Sequence, residues 1–214
     1  MTRKTSTKAA QVLQVAAKLF EARGYQGTSM DDVAAGVGLN KGTIYHYFPS
    51  KSAILFGIYS HAQSLVMASI EKIPPDAPAD EALDMLVRAQ LRALVEYPSE
   101  TVVYFQEMRW ISEWFDKEQV RVIRELEQVF TEYVINLIQR GIDDGLFAPT
   151  DPKIAAFGFT GLLAWTYQWF NPRGRNTPDE VADVFVHLML HGLCRGTGKV
   201  TRPRAARRPL RAPA

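Results

Sequence analysis

The chain has 214 residues, of which 47% are hydrophobic and 22% charged, with one cysteine and a formal net charge of +2. This length and apolar fraction fit one large domain, or a small domain joined to a larger one, and exclude an intrinsically disordered body. The single Cys194 excludes an internal disulfide framework, and no stretch approaches the roughly 20 uninterrupted apolar residues of a bilayer span. Residues 1–8 are polar and basic but lead into no apolar signal core, so the expected location is the cytoplasm.

The helical elements follow in chain order. Over 7–23, Leu13, Ala16, Ala17 and Phe20 recur at spacings of three and four, and Gly24 follows as a stop. Ser29 is placed to cap a second, short helix, with Asp32 completing a capping box and Val33, Ala34 and Val37 on its inner face. Gly36-Val37-Gly38-Leu39 makes a turn, Asn40 caps a third helix over 41–47, and Pro49 closes it. Ser50 opens a long fourth helix that runs to about residue 73, where Pro74-Pro75 ends it. Five further helices are predicted over 80–96, 100–114, 117–145, 152–170 and 177–195, each break carrying its own Pro or Gly punctuation. No strand alternation and no repeat stands out, so the fold class is all-α with about nine helices. From Gly196 the Pro/Arg/Ala-rich tail has no apolar period and is expected to be disordered.

Charge is unevenly placed along these elements. Residues 1–51 carry seven Lys/Arg against three Asp/Glu, residues 52–195 twelve against twenty, and residues 196–214 six against none. Phosphate neutralisation needs local cations, so a cationic end on an anionic body suits a DNA-binding module joined to a body with another task. The expected domains are therefore 1–51, followed by the linking helix 50–73, then a body over 52–195 and a basic tail over 196–214.

The segment 24–51 carries the chemistry. Two short helices about a Gly-containing turn form a helix-turn-helix, whose second helix enters the major groove N-terminus first. Gly42 permits close approach of the backbone, while Lys41 and Thr43 can reach base edges or phosphates. Tyr45 offers a ring and a hydroxyl, and Tyr47 and Lys51 would reach flanking phosphates. Thr28, at a helix start, is a natural phosphate seat. Ser29, Asn40 and His46 complete the candidate DNA-binding set. Taken singly, Tyr45 and Phe48 could equally be core aromatics.

The run Gly24-Tyr25, Thr28-Ser29-Met30-Asp31-Asp32-Val33-Ala34 and Gly36 through Lys51, together with the preceding helix bearing Phe20, resembles the TetR-family DNA-binding domain over some fifty residues. The family commonly has His where this chain has Tyr47, and often an acidic residue where Ala53 stands. The resemblance implies three DNA-binding helices, a linking helix, a ligand-binding body of about five helices, and a homodimer. It implies a repressor that binds a palindromic operator and is released when an effector shifts the fourth helix.

The body is rich in aromatic residues. Tyr104, Trp110, Trp114, Trp165 and Trp169, with Gln106, Glu107, Arg109 and Gln168 as polar partners, are the candidate effector ligands between facing helices. The same rings could instead pack the core and an interface. The stretches 102–109 and 165–174 also resemble regulators of lipid and sterol-ring breakdown that respond to acyl-coenzyme A thioesters. Arg109, Arg173 or Arg175 would then meet phosphates. A rival effector is an aromatic or cationic drug, with the protein controlling an efflux pump. A ligand-independent architectural DNA binder is the alternative of a different class.

Leu162, Leu163, Phe185, Leu188, Met189 and Gly192 supply the expected dimer interface, a four-helix bundle of two helices from each subunit. His187 and His191 sit four apart, but the stretch between them lacks the glutamate of a zinc-protease helix and no third ligand is evident, so no metal site and no cofactor are expected. Without a phosphate loop, a Gly-x-Ser-x-Gly elbow or a nucleophile setting, an enzyme is not expected.

Overall fold

A computed structural model describes residues 3–193, and within them every regular element is a helix apart from turns and bends. Cys194 and the tail 196–214 lie outside the described residues. The nine expected rods are all present, two of them broken. They are α1 (Arg3–Arg23), α2 (Met30–Val37), α3 (Lys41–Tyr47), α4 (Lys51–Glu71), α5 (Ala79–Glu96), α6 (Pro98–Glu107) running through a 3-10 turn (Met108–Trp110) into α7 (Ile111–Trp114), α8 (Lys117–Asp143), α9 (Pro152–Ala164) stepping into α10 (Thr166–Trp169), and α11 (Pro178–Leu193).

The stops and caps act as the sequence indicates. Gly24 and Gly38 adopt φ of 75° and 71°, a left-handed turn that residues with a Cβ avoid. The Ser29 side chain accepts from the Asp32 N–H while the Asp32 carboxylate accepts from the Ser29 N–H, so both halves of the capping box form. Asn40 accepts from the Thr43 N–H at 2.8 Å, and Ser50 from the Ala53 N–H at 3.0 Å. Asp116 and Gln119 add a second capping box, which gives α8 a sharp start.

Two apolar cores form, and their division does not coincide with the end of the basic segment. One gathers Phe20 of α1, Val33 of α2, Ile44 of α3 and Ile54, Leu55 and Ile58 of α4, and also takes in Val103, Ile111, Phe115 and Ile123 from the body. The other joins α5, α8, α9 and α11 around Leu83, Leu86, Val134, Ile138, Phe159 and Phe185. α4 serves the first core with its N-terminal half and faces the interior of the body with Ala62, Leu65, Val66 and Met67. It is long and apolar enough by composition to cross a membrane, but these two packing duties account for its apolar residues.

α11 lies along α5. Arg88 on α5 fixes it by donating to Asp84 at 2.9 Å on its own helix and to Asp183 of α11 at 2.7 Å. This packing places the residues of the expected dimer face differently from one another. Phe185 turns into the body core, and Leu162, Leu163 and Met189 pack partly buried against it, leaving Leu188 exposed at 58%. Gly192 lies in α11 near its end. On these two helices the open apolar surface includes Ile154, Phe157 and Trp165 on the α9 side, with Val184 and Leu188 on α11. Both helices are apolar on two sides, and periodicity alone does not say which side meets the core.

Candidate nucleic-acid interface and effector cavity

α3 has one buried residue, Ile44, which pins it to the first core; the rest of the helix is exposed or half-buried. Lys41, Gly42, Tyr45 and His46 are exposed, with Thr43 and Tyr47 half-buried beside them. The Lys41 ammonium meets Asp31 of α2 at 2.8 Å, and this hydrogen bond raises its pKa, so the side chain is held as a cation at the helix N-terminus. The Thr43 hydroxyl donates to Asn40 Oδ1 at 2.8 Å. His46 and Tyr47 meet edge to face at 5.6 Å. Gly42 has no positive φ, and a Cβ there would meet Asn40 Oδ1 at an ordinary 3.5 Å. Among the described residues nothing requires glycine at 42.

Two of the expected DNA-binding side chains instead build the turn behind this face. Thr28 is buried, and its hydroxyl donates to the Gly24 carbonyl at 3.1 Å and the Leu19 carbonyl at 3.3 Å. The Lys51 ammonium donates to the carbonyls of Tyr25 and Thr28, both at 2.8 Å, and lies 4.4 Å from the centre of the Tyr25 ring. Partial burial lowers its pKa. Ser29 uses its hydroxyl in the capping box. These placements share one cause: the α1–α2 turn leaves carbonyls without helical partners, and the nearest donors satisfy them.

Within the body, α4, α5, α6, α8 and α9 enclose a cavity of about 500 Å³. Its walls are mostly apolar, with Val66, Met67, Leu94, Phe105, Met108 and Phe130 among them. A few polar groups face it. Tyr104 donates its hydroxyl to Glu127 at 2.8 Å, and burial pushes that phenol far above its ordinary pKa. Gln63, itself buried, donates to the Ile123 carbonyl at 2.8 Å. Gln90 also lines the space. No arginine or lysine is among the lining residues.

Of the expected effector ligands, Tyr104 alone lines this cavity. Gln106, Arg109, Trp110, Trp165, Gln168 and Trp169 are exposed. Glu107 and Trp114 sit at the junction of the body with α1, in a separate cleft of about 320 Å³ that also has Tyr25 and Trp110 in its wall. The reason is the pair of breaks. The 3-10 turn at Met108–Trp110 advances by three residues per turn rather than 3.6, and the step at Trp165 resets α10, so both aromatic clusters leave the phase a continuous helix would give. Phe105 and Tyr167, stacked at 5.0 Å and 11°, are the aromatic pair that does reach the cavity. Met67, Met108 and Gln90 carry no sequence signal that separates them from ordinary core.

Comparison with known proteins agrees with this geometry at both ends of the chain. Residues 12–58 match the model of bacterial regulatory proteins of the tetR family, and residues 76–193 match the tetracyclin repressor-like C-terminal domain. The chain belongs to the TetR family. Among relatives of this TetR-family protein, the transcriptional repressor KstR2 of Rhodococcus jostii is 27% identical over 190 residues, covering 88% of this chain and 92% of the relative. The regulator PfmR of Thermus thermophilus superposes with a TM-score of 0.78 at 32% identity, covering 86% of this chain and 99% of that one. AibR, solved in complex with isovaleryl coenzyme A and operator DNA, superposes with a TM-score of 0.74 at 27% identity, covering 85% and 97%.

Proposed function

We propose that this TetR-family chain is a homodimeric transcriptional repressor, released from its operator when an apolar effector enters the body cavity. The observation that carries the reading is the placement of α4. One end of this helix is locked in the core that holds the recognition helix α3, and the other forms a wall of the cavity. A ligand that prefers one position of that wall biases the head, and couplings of about 1–3 kcal/mol are typical of such linkage. Base and phosphate contacts come from Lys41, Gly42, Thr43, Tyr45, His46 and Tyr47, with Gly42 leaving room for DNA rather than for any group of the protein. Thr28 and Lys51 act behind them by shaping the turn.

The effector is an acyl-coenzyme A thioester whose acyl group fills the cavity. The apolar walls suit that group, and the absence of lining cations keeps the phosphates outside. The complex of AibR with isovaleryl coenzyme A supports this class, and the repressor KstR2 supports the regulatory sign. Glu127 gives a cationic drug a second hearing, since it is the acidic group facing the cavity. Dimerisation uses the open apolar face of Ile154, Phe157, Trp165, Val184 and Leu188. The protein acts as a regulator in the cytoplasm, with no catalytic step.

Fluorescence anisotropy with the promoter DNA upstream of its own gene, with and without isovaleryl coenzyme A and longer acyl thioesters, tests the proposal. Release by thioesters alone supports it. Specific binding that no thioester changes, but that cationic dyes abolish, replaces the thioester by a drug; no specific DNA binding at all overturns the repressor reading.

A further inference from the structure

Glu107 stands at the last turn of α6, next to the cavity yet outside it. Tyr104, Phe105 and Met108 on the same turns line the cavity. The Glu107 carboxylate points the other way. Its Oε1 accepts from the backbone N–H of Tyr25 at 3.4 Å, across 82 residues of sequence, and its Oε2 accepts from the Trp114 indole N–H at 3.2 Å. The Tyr25 and Trp114 rings lie 4.9 Å apart, and Phe20 of α1 meets Tyr25 edge to face at 5.3 Å. Tyr25 is also held from the head side by Lys51, which donates to its carbonyl and sits over its ring. Immediately after Glu107 the α-helical ladder gives way to the 3-10 turn, a natural place for a helix to rotate or re-wind.

From this geometry we infer that Glu107 is a positioning residue that pins the DNA-binding head to the cavity-lining helix α6, through the Tyr25 amide and the Trp114 indole. The head is thus joined to the body by α4, by the apolar core that gathers Phe20 of α1 with Val103 of α6 and Ile111 of α7, and by this carboxylate clamp on the α1–α2 turn. Apolar packing between α1 and α6 is non-directional and tolerates small sliding, whereas the two hydrogen bonds of the clamp are directional and hold the angle at which α3 is presented. Each bond to an ionised carboxylate is a stronger tether than a neutral pair, and the Tyr25 N–H, following the end of α1, has no helical partner to return to. Because Phe105 and Met108 flank Glu107, displacement of the cavity wall moves the clamp directly. That consequence rests on the effector reading above, whereas the clamp itself does not.

The test therefore uses neither DNA nor effector. In the full chain with Cys194→Ser, spin labels at Ala35→Cys in α2 and Gln139→Cys in α8, both exposed sites, report the head–body distance within one protomer once the labelled chain is mixed with a large excess of unlabelled Cys194→Ser chain. The three clamp variants are Glu107→Ala, Glu107→Gln and Trp114→Phe. Glu107→Ala is expected to at least double the width of the distance distribution, and to speed exchange of the Tyr25 amide by about tenfold, the factor that corresponds to 1.4 kcal/mol. Glu107→Gln keeps one acceptor oxygen and should fall between wild type and Ala; Trp114→Phe removes the indole donor and should do the same. A Glu107 that merely stabilises the body would lower the melting temperature with the distribution still narrow, and that result overturns the inference. If Glu107→Ala does not fold, an unchanged distribution in both milder variants has the same force. A failure here leaves the repressor reading intact, and loss of operator binding elsewhere leaves the clamp intact.

Discussion

Substituting Gly158→Ala separates a dimer face from an ordinary exposed helix. Gly158 lies inside α9 on the same side as Ile154, Phe157 and Trp165, and a Cβ built on it meets nothing within 4 Å. In an isolated chain the methyl group is therefore free of clash, and replacing a mid-helix glycine by alanine contributes about 0.5–1 kcal/mol of stability. For a chain of this size that is a rise of roughly 1–4 °C in melting temperature. In a dimer joined through this face, the glycine is where a partner helix comes close. Two-fold symmetry then doubles the insult, since one new methyl enters from each side, and overpacking costs about 1–3 kcal/mol per site. The propensity gain is common to monomer and dimer and cancels, so a loss of about 2–6 kcal/mol should raise the dimer dissociation constant at least about thirtyfold. Sedimentation equilibrium gives that constant, and melting curves at several concentrations give the monomer and dimer terms separately. A more stable chain with an unchanged dissociation constant would refute the assignment of this face.

Three further outcomes are expected. Asn40→Ala removes the cap of a seven-residue helix held by one buried side chain, and should cost about 1 kcal/mol, read as roughly fivefold faster exchange of the Thr43 amide and a matching fall in operator affinity. Tyr104→Phe deletes the donor to Glu127 and leaves that part-buried carboxylate short of a partner; urea unfolding should show a loss of about 1–3 kcal/mol, with the cavity volume nearly unchanged. Glu100→Gln tests a buried carboxyl 3.7 Å from His61, whose pKa burial raises and His61 opposes. A raised folded pKa contributes stability that is complete below the ordinary carboxylate value of about 4.3 and is lost as pH climbs through the folded value. The variant's advantage in melting temperature should accordingly be small near pH 4 and grow towards pH 8; an advantage independent of pH would contradict the assignment.

The DNA-binding head was legible in the sequence because local signals decide it. Caps at Ser29, Asn40 and Ser50, the left-handed glycines 24 and 38, and the motif through Lys51 each depend on neighbours within a few residues. What could not be read was where polar side chains of that segment go. Thr28 and Lys51 look like phosphate ligands by type, yet the free carbonyls of the α1–α2 turn claim them, and that need appears only once the turn has its shape. In the body, the aromatic positions of 104–114 and 165–170 were visible but not their directions. A break of one turn moves Trp110 and Trp114 away from the cavity that Tyr104 and Met108 still line.

The same limit applies to α9 and α11, whose outward strips become visible only once the core has chosen its side. α9 buries Ala156 and Phe159 on one side and exposes Ile154 and Phe157 on the other, so its apolar pattern has no single phase. A helix apolar on two sides needs two covers, and the chain's own core supplies one. On α11, Val181, Ala182 and Phe185 are buried against the body core, while the exposed Asp179 and Asp183 reach Arg88 of α5. Burial of the apolar trio outweighs the surface ion pairs and sets the rotation of α11 about its axis, leaving Val184 and Leu188 without a cover. Moving the acidic pair one residue along the helix would cost only the surface ion pairs, about 0–1 kcal/mol, and would leave the apolar trio buried and the rotation of α11 unchanged.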